Sequence, residues 1–190
     1  AQLGNNEKAQ ISLDGGTTWI DLTVTGTTWR YTDGRTLTDG TYQYQVRVID
    51  NAGNVGATDS QDVVIDLTKP AAATITVDSV SQDTGLSDSY FITSDNQISL
   101  KGTLGAALAN GEYAQISIDG GVTWQNVIVS GNSWYYVDGR TLGNQTYDYY
   151  VRVVDAAGNV GASAHQQVTV DTVAPDAAIT VTVDNITVDT

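Results

Sequence analysis

Residues 41–50 read TYQYQVRVID, with Tyr42, Tyr44, Val46 and Val48 alternating with Gln43, Gln45 and Arg47. A period of two marks a strand with one face buried. Residues 146–155 read TYDYYVRVVD, setting Tyr147, Tyr149, Val151 and Val153 inward and Asp148 and Arg152 outward. The two stretches lie 105 residues apart, and the offset persists on both sides of them. AQISLDGGTTW (9–19) matches AQISIDGGVTW (114–124), YTDGRTL (31–37) matches YVDGRTL (136–142), and DNAGNVGA (50–57) matches DAAGNVGA (155–162). Residues 1–70 against 106–175 give 39 identities in 70 without a gap, so the chain holds two tandem copies of one module.

The frame of the repeat is uneven. Residues 70–105 have no counterpart ahead of the first copy, and PDAAITVTVDNITVDT (175–190) resembles PAAATITVDSVSQDT (70–84) with one insertion. The expected organisation is a module lacking its first strands (1–69), a complete module (70–174), and the first strand of a third (175–190). The window reads as a cut from a longer array. The strands missing from the first copy are expected from chain ahead of it or from a neighbouring molecule.

Further short runs at 74–80, 96–104, 113–118, 122–129, 133–137 and 160–171 are rich in Val, Ile, Thr, Tyr and Trp. Gly, Asp and Asn separate them, and no stretch has helical periodicity. The fold expected is all-β: tandem immunoglobulin-like antiparallel β-sandwich modules repeating about every 105 residues. Trp19, Trp29, Trp124 and Trp134 recur at matched positions, which favours a core role over sugar stacking. Tyr42 and Tyr147, each just after a turn, are expected to return their hydroxyls to the turn backbone.

The chain has 22 acidic and 8 basic side chains, a net charge of −14, and 20 of the acids are aspartates. That charge argues against nucleic acid as a partner. With no Cys, disulfides, zinc fingers and thiol chemistry are excluded. No apolar run is long enough to insert in a membrane as a helix. Catalysis has little to stand on: the single histidine, His165, aligns with Ser60, and Glu7 and Glu112 are one repeat position rather than a pair. The reading is a non-enzyme.

Aspartates in loops are the remaining candidates. DGG carries Asp14 and Asp119; D-x-AGN carries Asp50 with Asn54 and Asp155 with Asn159; Asp66 and Asp171 close strands ahead of proline. DTGLSDSYFITSD adds Asp83, Asp88 and Asp95. Asp-Gly is ordinary turn chemistry, so a plain turn competes with a ligand role at DGG, and more strongly at DGR (Asp33, Asp138). In a sandwich of this strand order, D-x-AGN lies at the end where the module begins and the other loops at the opposite end. Stacked modules would then gather like charges at their joint, and Ca²⁺, which takes six to eight oxygens, would neutralise them.

The full set (DTGLSDSYFITSD, DGGVTW, DGRTL, DAAGNVG and the Asp171-to-Pro175 linker) resembles the bacterial immunoglobulin-like repeats of giant secreted adhesins. These are biofilm-associated and non-fimbrial adhesins of Gram-negative bacteria, exported by type I secretion. The resemblance implies cell-surface, extracellular spacer repeats, stiffened by Ca²⁺ at module junctions and acting in cell adhesion or biofilm formation. Their partners would be neighbouring repeats of the same chain and other copies in an extracellular assembly. Calcium roles carry over to Asp66, Asp155, Asn159 and Asp171 first, then to Asp83, Asp88 and Asp95. The first junction, Asp66-Leu-Thr-Lys69-Pro70, departs from the linker pattern by placing a lysine before the proline. A glycan- or protein-binding sandwich and an accessory domain of a secreted polysaccharide-degrading enzyme are the competing functions. Buried tryptophans favour the spacer; a tryptophan exposed beside a groove favours a glycan binder.

Overall fold

The computed structural model describes residues 2–72, 74–87 and 89–183. The chain divides into two compact units, Ala1–Thr68 and Lys69–Thr190. Among the described residues every regular element is a strand, and no helix is long and apolar enough to cross a membrane.

Unit 1 contains β1 (Glu7–Ser12), β2 (Ile20–Asp21), β3 (Val24–Thr25), β4 (Thr28–Trp29), β5 (Gly40–Asp50) and β6 (Val55–Ile65). Four strands form an antiparallel sheet in the order β2-β1-β5-β6, while β3 and β4 make a separate hairpin. The alternating stretch 41–50 lies in β5, and Tyr42 stands opposite Val63 in its register with β6. At the β5–β6 turn Gly53 takes φ +90°, a conformation costly for any residue with a Cβ.

Unit 2 contains β7 (Ser79–Val80), β8 (Ile92–Thr93), β9 (Ser99–Thr103), β10 (Tyr113–Ser117), β11 (Gln125–Asn126), β12 (Ile128–Ser130), β13 (Ser133–Val137), β14 (Gln145–Val154) and β15 (Val160–Val170). Two sheets form, β11-β10-β14-β15-β8 and β12-β13-β9-β7. Their inner faces supply one core: Ile98, Leu100, Ile116, Trp134, Tyr149, Val151, Val153, Val168 and Val170 are all at most 1% exposed. Gly102 permits this packing, because a side chain there would run into the Thr76 carbonyl and the Trp134 indole. This is an immunoglobulin-like sandwich, as the alternation and turn spacing predict.

One pairing departs from the all-antiparallel expectation. β8 runs parallel to β15, with Ile92 opposite Thr169 and Thr93 opposite Val170. A two-residue strand inside a long loop has no period of its own, so its direction follows from where the loop is tied. Here Thr93 Oγ1 donates to the Gln82 carbonyl at 2.6 Å and Asp171 N donates to the Thr93 carbonyl at 2.9 Å. Residues 175–183 hold a turn closed from Ile179 N to the Asp176 carbonyl and no strand; the remainder of the expected third-module strand lies outside the described residues.

Candidate functional site

The DGG turns are held by their own aspartates. Asp14 accepts from Ser12 Oγ (2.8 Å), Thr18 N (2.8 Å) and Thr18 Oγ1 (2.6 Å). Asp119 accepts from Ser117 Oγ (2.8 Å), Thr123 N (2.8 Å) and Thr123 Oγ1 (2.5 Å). Donation to the ionised form favours it, led by the Thr18 and Thr123 hydroxyls, and lowers both carboxyls to about 2. Trp19 and Trp124 stand on these turns, each donating Nε1–H to a glycine carbonyl at 3.0 Å, Gly16 or Gly121. The guanidinium of Arg47 or Arg152 lies over the indole, 3.9 and 4.0 Å from the ring centroid. The expected core role therefore fails for this pair. Both are half-buried latches between a turn and the outer sheet face, with one ring face already covered by arginine. Trp134 alone of the four is in the core; Trp29 is 47% exposed beside an open groove lined by Leu22, Val24 and Val46, which is the arrangement expected of a glycan binder rather than of a spacer.

DGR is more than a turn. Asp138 is 3% exposed and accepts from Tyr149 Oη at 2.6 Å and from Arg140 Nη2 at 2.6 Å and Nε at 2.9 Å. Burial pushes its carboxyl up, but the bonds from Arg140 and Tyr149 outweigh that and hold it below the usual range. The same network recurs in unit 1 as Asp33, Arg35 and Tyr44, with Tyr44 Oη 2.6 Å from Asp33. Tyr42 and Tyr147 make the expected corners: each hydroxyl donates to a carbonyl and accepts an N–H at the same upstream residue, Thr38 or Gly143.

In D-x-AGN the carboxylate likewise serves its own turn. Asp50 accepts from Asn54 N at 2.9 Å and Nδ2 at 2.8 Å, and Asp155 from Asn159 N and Nδ2, both at 2.8 Å. Asp66 and Asp171 each accept an N–H from two residues on, Thr68 and Val173, and Asp95 accepts from Gln97 N. The 11-residue β15 sets Asp155 and Asn159 at one end of unit 2 and Asp171 at the other. β6 likewise separates Asp50 and Asn54 from Asp66 in unit 1. Among the described residues no three His, Cys, Asp or Glu side chains gather to hold a metal ion.

Asp83 differs from the rest. Its Oδ2 accepts from Phe91 N at 3.3 Å, whereas Oδ1 is buried with no hydrogen-bond partner among the described residues. Gln82 and Phe91, at φ +50° and +51°, bracket this loop and are the only described non-glycine residues with positive φ. A buried carboxylate oxygen without a donor is costly, and a bound cation would remove that cost. Asp88, in the same loop, lies outside the described residues. The single histidine is exposed: His165 Nε2 is 2.7 Å from Asp148 Oδ1, and its ring stacks on Tyr150 with centroids 4.4 Å apart.

One set of turn staples and corners recurs in two successive units, the second of them a closed sandwich. The pattern of the bacterial Ig-like domain matches residues 3–67 and again 70–172. The chain belongs to the bacterial Ig-like domain family. Its two bacterial Ig-like modules are 28% identical over 172 residues to Exoglucanase B of Cellulomonas fimi, covering 83% of this chain and 15% of that protein. In structure they are similar to fibronectin(III)-like modules of Clostridium thermocellum CbhA, with a TM-score of 0.52 and 12% identity over 90% of this chain and 82% of that one. At that identity the likeness is one of fold.

Proposed function

We propose that these two bacterial Ig-like modules are structural spacer repeats of a large secreted bacterial surface adhesin, stiffened by calcium and acting in cell adhesion or biofilm formation. One observation supports this most. The positions that repeat are scaffold: the DGG and DGR staples, the tyrosine corners, the inward face of the long strand and the AGN turn. Several outward positions change between copies, with Gln43, Gln45, Ser60 and Asp62 standing where unit 2 has Asp148, Tyr150, His165 and Gln167, while the outward Arg47 and Arg152 are kept and cover the latch tryptophans. A ligand surface presented by every repeat would keep its outward residues. A spacer keeps only what holds the sandwich.

Calcium enters through Asp83. Its unpartnered Oδ1 suits a hard cation, which would supply the missing positive charge and tie the loop between β7 and β8. At about 10⁻³ M calcium and a dissociation constant of about 10⁻⁴–10⁻³ M, such a site adds about 1 kcal/mol. That would raise the melting temperature by roughly 4–8 °C for a domain of this size. Thermal unfolding in calcium and in chelator tests it. The rise should vanish in Asp83→Asn; identical melting in both buffers would remove calcium from the account.

The match to Exoglucanase B favours a second reading, an accessory module of a secreted glucan-degrading enzyme. Co-sedimentation with insoluble glucans separates the two. The spacer reading expects the protein to stay in the supernatant.

A further inference from the structure

In each unit the chain is held beyond the end of its last long strand. Asp39, the residue before β5, accepts from Leu67 N at 2.6 Å and from Thr68 Oγ1, both past Ile65, where β6 ends. Asp66 Oδ1 adds a bond from Thr68 N at 3.0 Å. In unit 2 Asn144 takes the repeat position of Asp39, and its Oδ1 accepts from Thr172 N at 2.9 Å and Thr172 Oγ1 at 2.7 Å. Leu67 stands where Thr172 does and has no hydroxyl, so in unit 1 the next residue, Thr68, supplies it. The entry to unit 2 is also held. Glu112 accepts from Ala71 N at 3.2 Å through Oε1 and from Ala109 N at 2.8 Å through Oε2. Pro70 is buried against Gly161, where an added Cβ would meet the proline ring at 3.1 Å, and Ala72 is 2% exposed. Among the described residues Lys69 makes no hydrogen bond.

We propose that these contacts are a linker clamp built from the repeat's own side chains. Asp39 fastens the chain up to Thr68, Glu112 and the Gly161 surface fasten it from Pro70 onward, and Lys69 is the one residue left to change conformation. Even that freedom is narrow, because the residue before a proline is confined to extended conformations. Exposed connecting segments are ordinarily the mobile part of a chain, so bonds that order five successive residues here need a cause in the side chains. A carboxylate acceptor strengthens each of them. Asp39 and Asn144 share an acceptor oxygen but not a charge, so the acceptor is what the repeat keeps at this position. A hydrogen-bonded clamp of this kind fastens the linker without a metal ion. It is independent of the calcium and adhesin readings, since every bond in it lies within one unit or the other.

The test is backbone ¹⁵N relaxation and amide exchange of the whole chain in chelator. Order parameters should stand near 0.85 at Leu67, Thr68, Ala71 and Ala72, with the minimum of the linker at Lys69. Asp39→Ala should lower them at Leu67 and Thr68, speed exchange of the Leu67 amide about 3- to 10-fold, and leave Ala71 and Ala72 as they were. Glu112→Ala should do the reverse, freeing Ala71 and leaving Leu67 and Thr68 ordered. Asp39→Asn copies the acceptor of Asn144 and should keep the order that Asp39→Ala loses, which separates the clamp from a general loosening of unit 1. Unchanged amides along β5 and β14 show that each variant is folded. The proposal is overturned if residues 67–72 are uniformly mobile in the unaltered chain, or if Leu67 and Ala71 stay ordered in the alanine variants. It is also overturned if Asp39→Asn behaves as Asp39→Ala, or if order at Leu67 and Thr68 appears only when calcium is added, which would make a metal ion the fastener.

Discussion

Tyr44 and Tyr149 come from nearly the same sequence, hydrogen-bond their hydroxyls to equivalent aspartates at the same 2.6 Å, and differ only in surroundings. Tyr149 is fully buried, Tyr44 partly open; Val168 is fully buried, whereas Val63, its counterpart, is 38% exposed. Local structure is therefore set by local sequence: the staples, corners and turns form identically in both units. Burial is set by the second sheet, in which β12 and β13 have counterparts in β3 and β4 of unit 1 whereas β7 and β9 have none among its described residues. Hydrophobic stabilisation scales with the area removed from water, so the same side chains contribute much less in unit 1.

The largest consequence is at the paired tryptophans. Trp134→Ala should destabilise unit 2 by about 3–5 kcal/mol, through lost transfer energy and a cavity, while Trp29→Ala should cost unit 1 about 1 kcal/mol or less. Chemical denaturation of the intact chain, read through each variant's own transition, checks this. Equal losses would mean that Trp29 is covered in solution.

Next comes the buried aspartate. Asp138→Ala leaves the Tyr149 hydroxyl and the Arg140 guanidinium without their common acceptor and should cost about 3 kcal/mol. Asp33→Ala removes the same bonds at a wetter site and should cost less. A larger loss at Asp33 would reverse the comparison.

Smallest is the acid response of the DGG turns, where the units should agree. Asp14 and Asp119 sit at about 2 in the folded chain against 3.8 ordinarily. A lowered carboxyl binds protons more weakly folded than unfolded, so its stabilisation is complete above about pH 5 and is lost as pH falls through 4 towards 2. Asp14→Asn and Asp119→Asn should each flatten that part of the stability–pH curve, and by similar amounts. Flattening in one unit only would show that the turn depends on the second sheet after all.

What could be read in the sequence follows the same division. Alternation in TYQYQVRVID and TYDYYVRVVD gave the long strands and their inward faces, and the turn-plus-tyrosine spacing gave the corners, because both signals are local. The parallel β8–β15 pairing was hidden, since Ile92–Thr93 carries no period and is placed by a bond from Thr93 to the Gln82 carbonyl and one from Asp171 N to Thr93. The latch role of Trp19 and Trp124 was also hidden, because it depends on Arg47 and Arg152 reaching across from another strand. Among the aspartates, residue type pointed to turns and hard-cation ligands alike. Only the structure separates Asp155, with both oxygens engaged by Asn159, from Asp83, with one buried oxygen unpartnered.

Amide hydrogen exchange along β5 and β14 in the intact chain tests the central claim most directly, because the two strands differ little in sequence and strongly in cover. The amides of Val151 and Val153 should exchange at least about 100-fold more slowly than those of Val46 and Val48. Equal protection at the two pairs would contradict the account, since it would show that the second sheet does not set the stability of these modules.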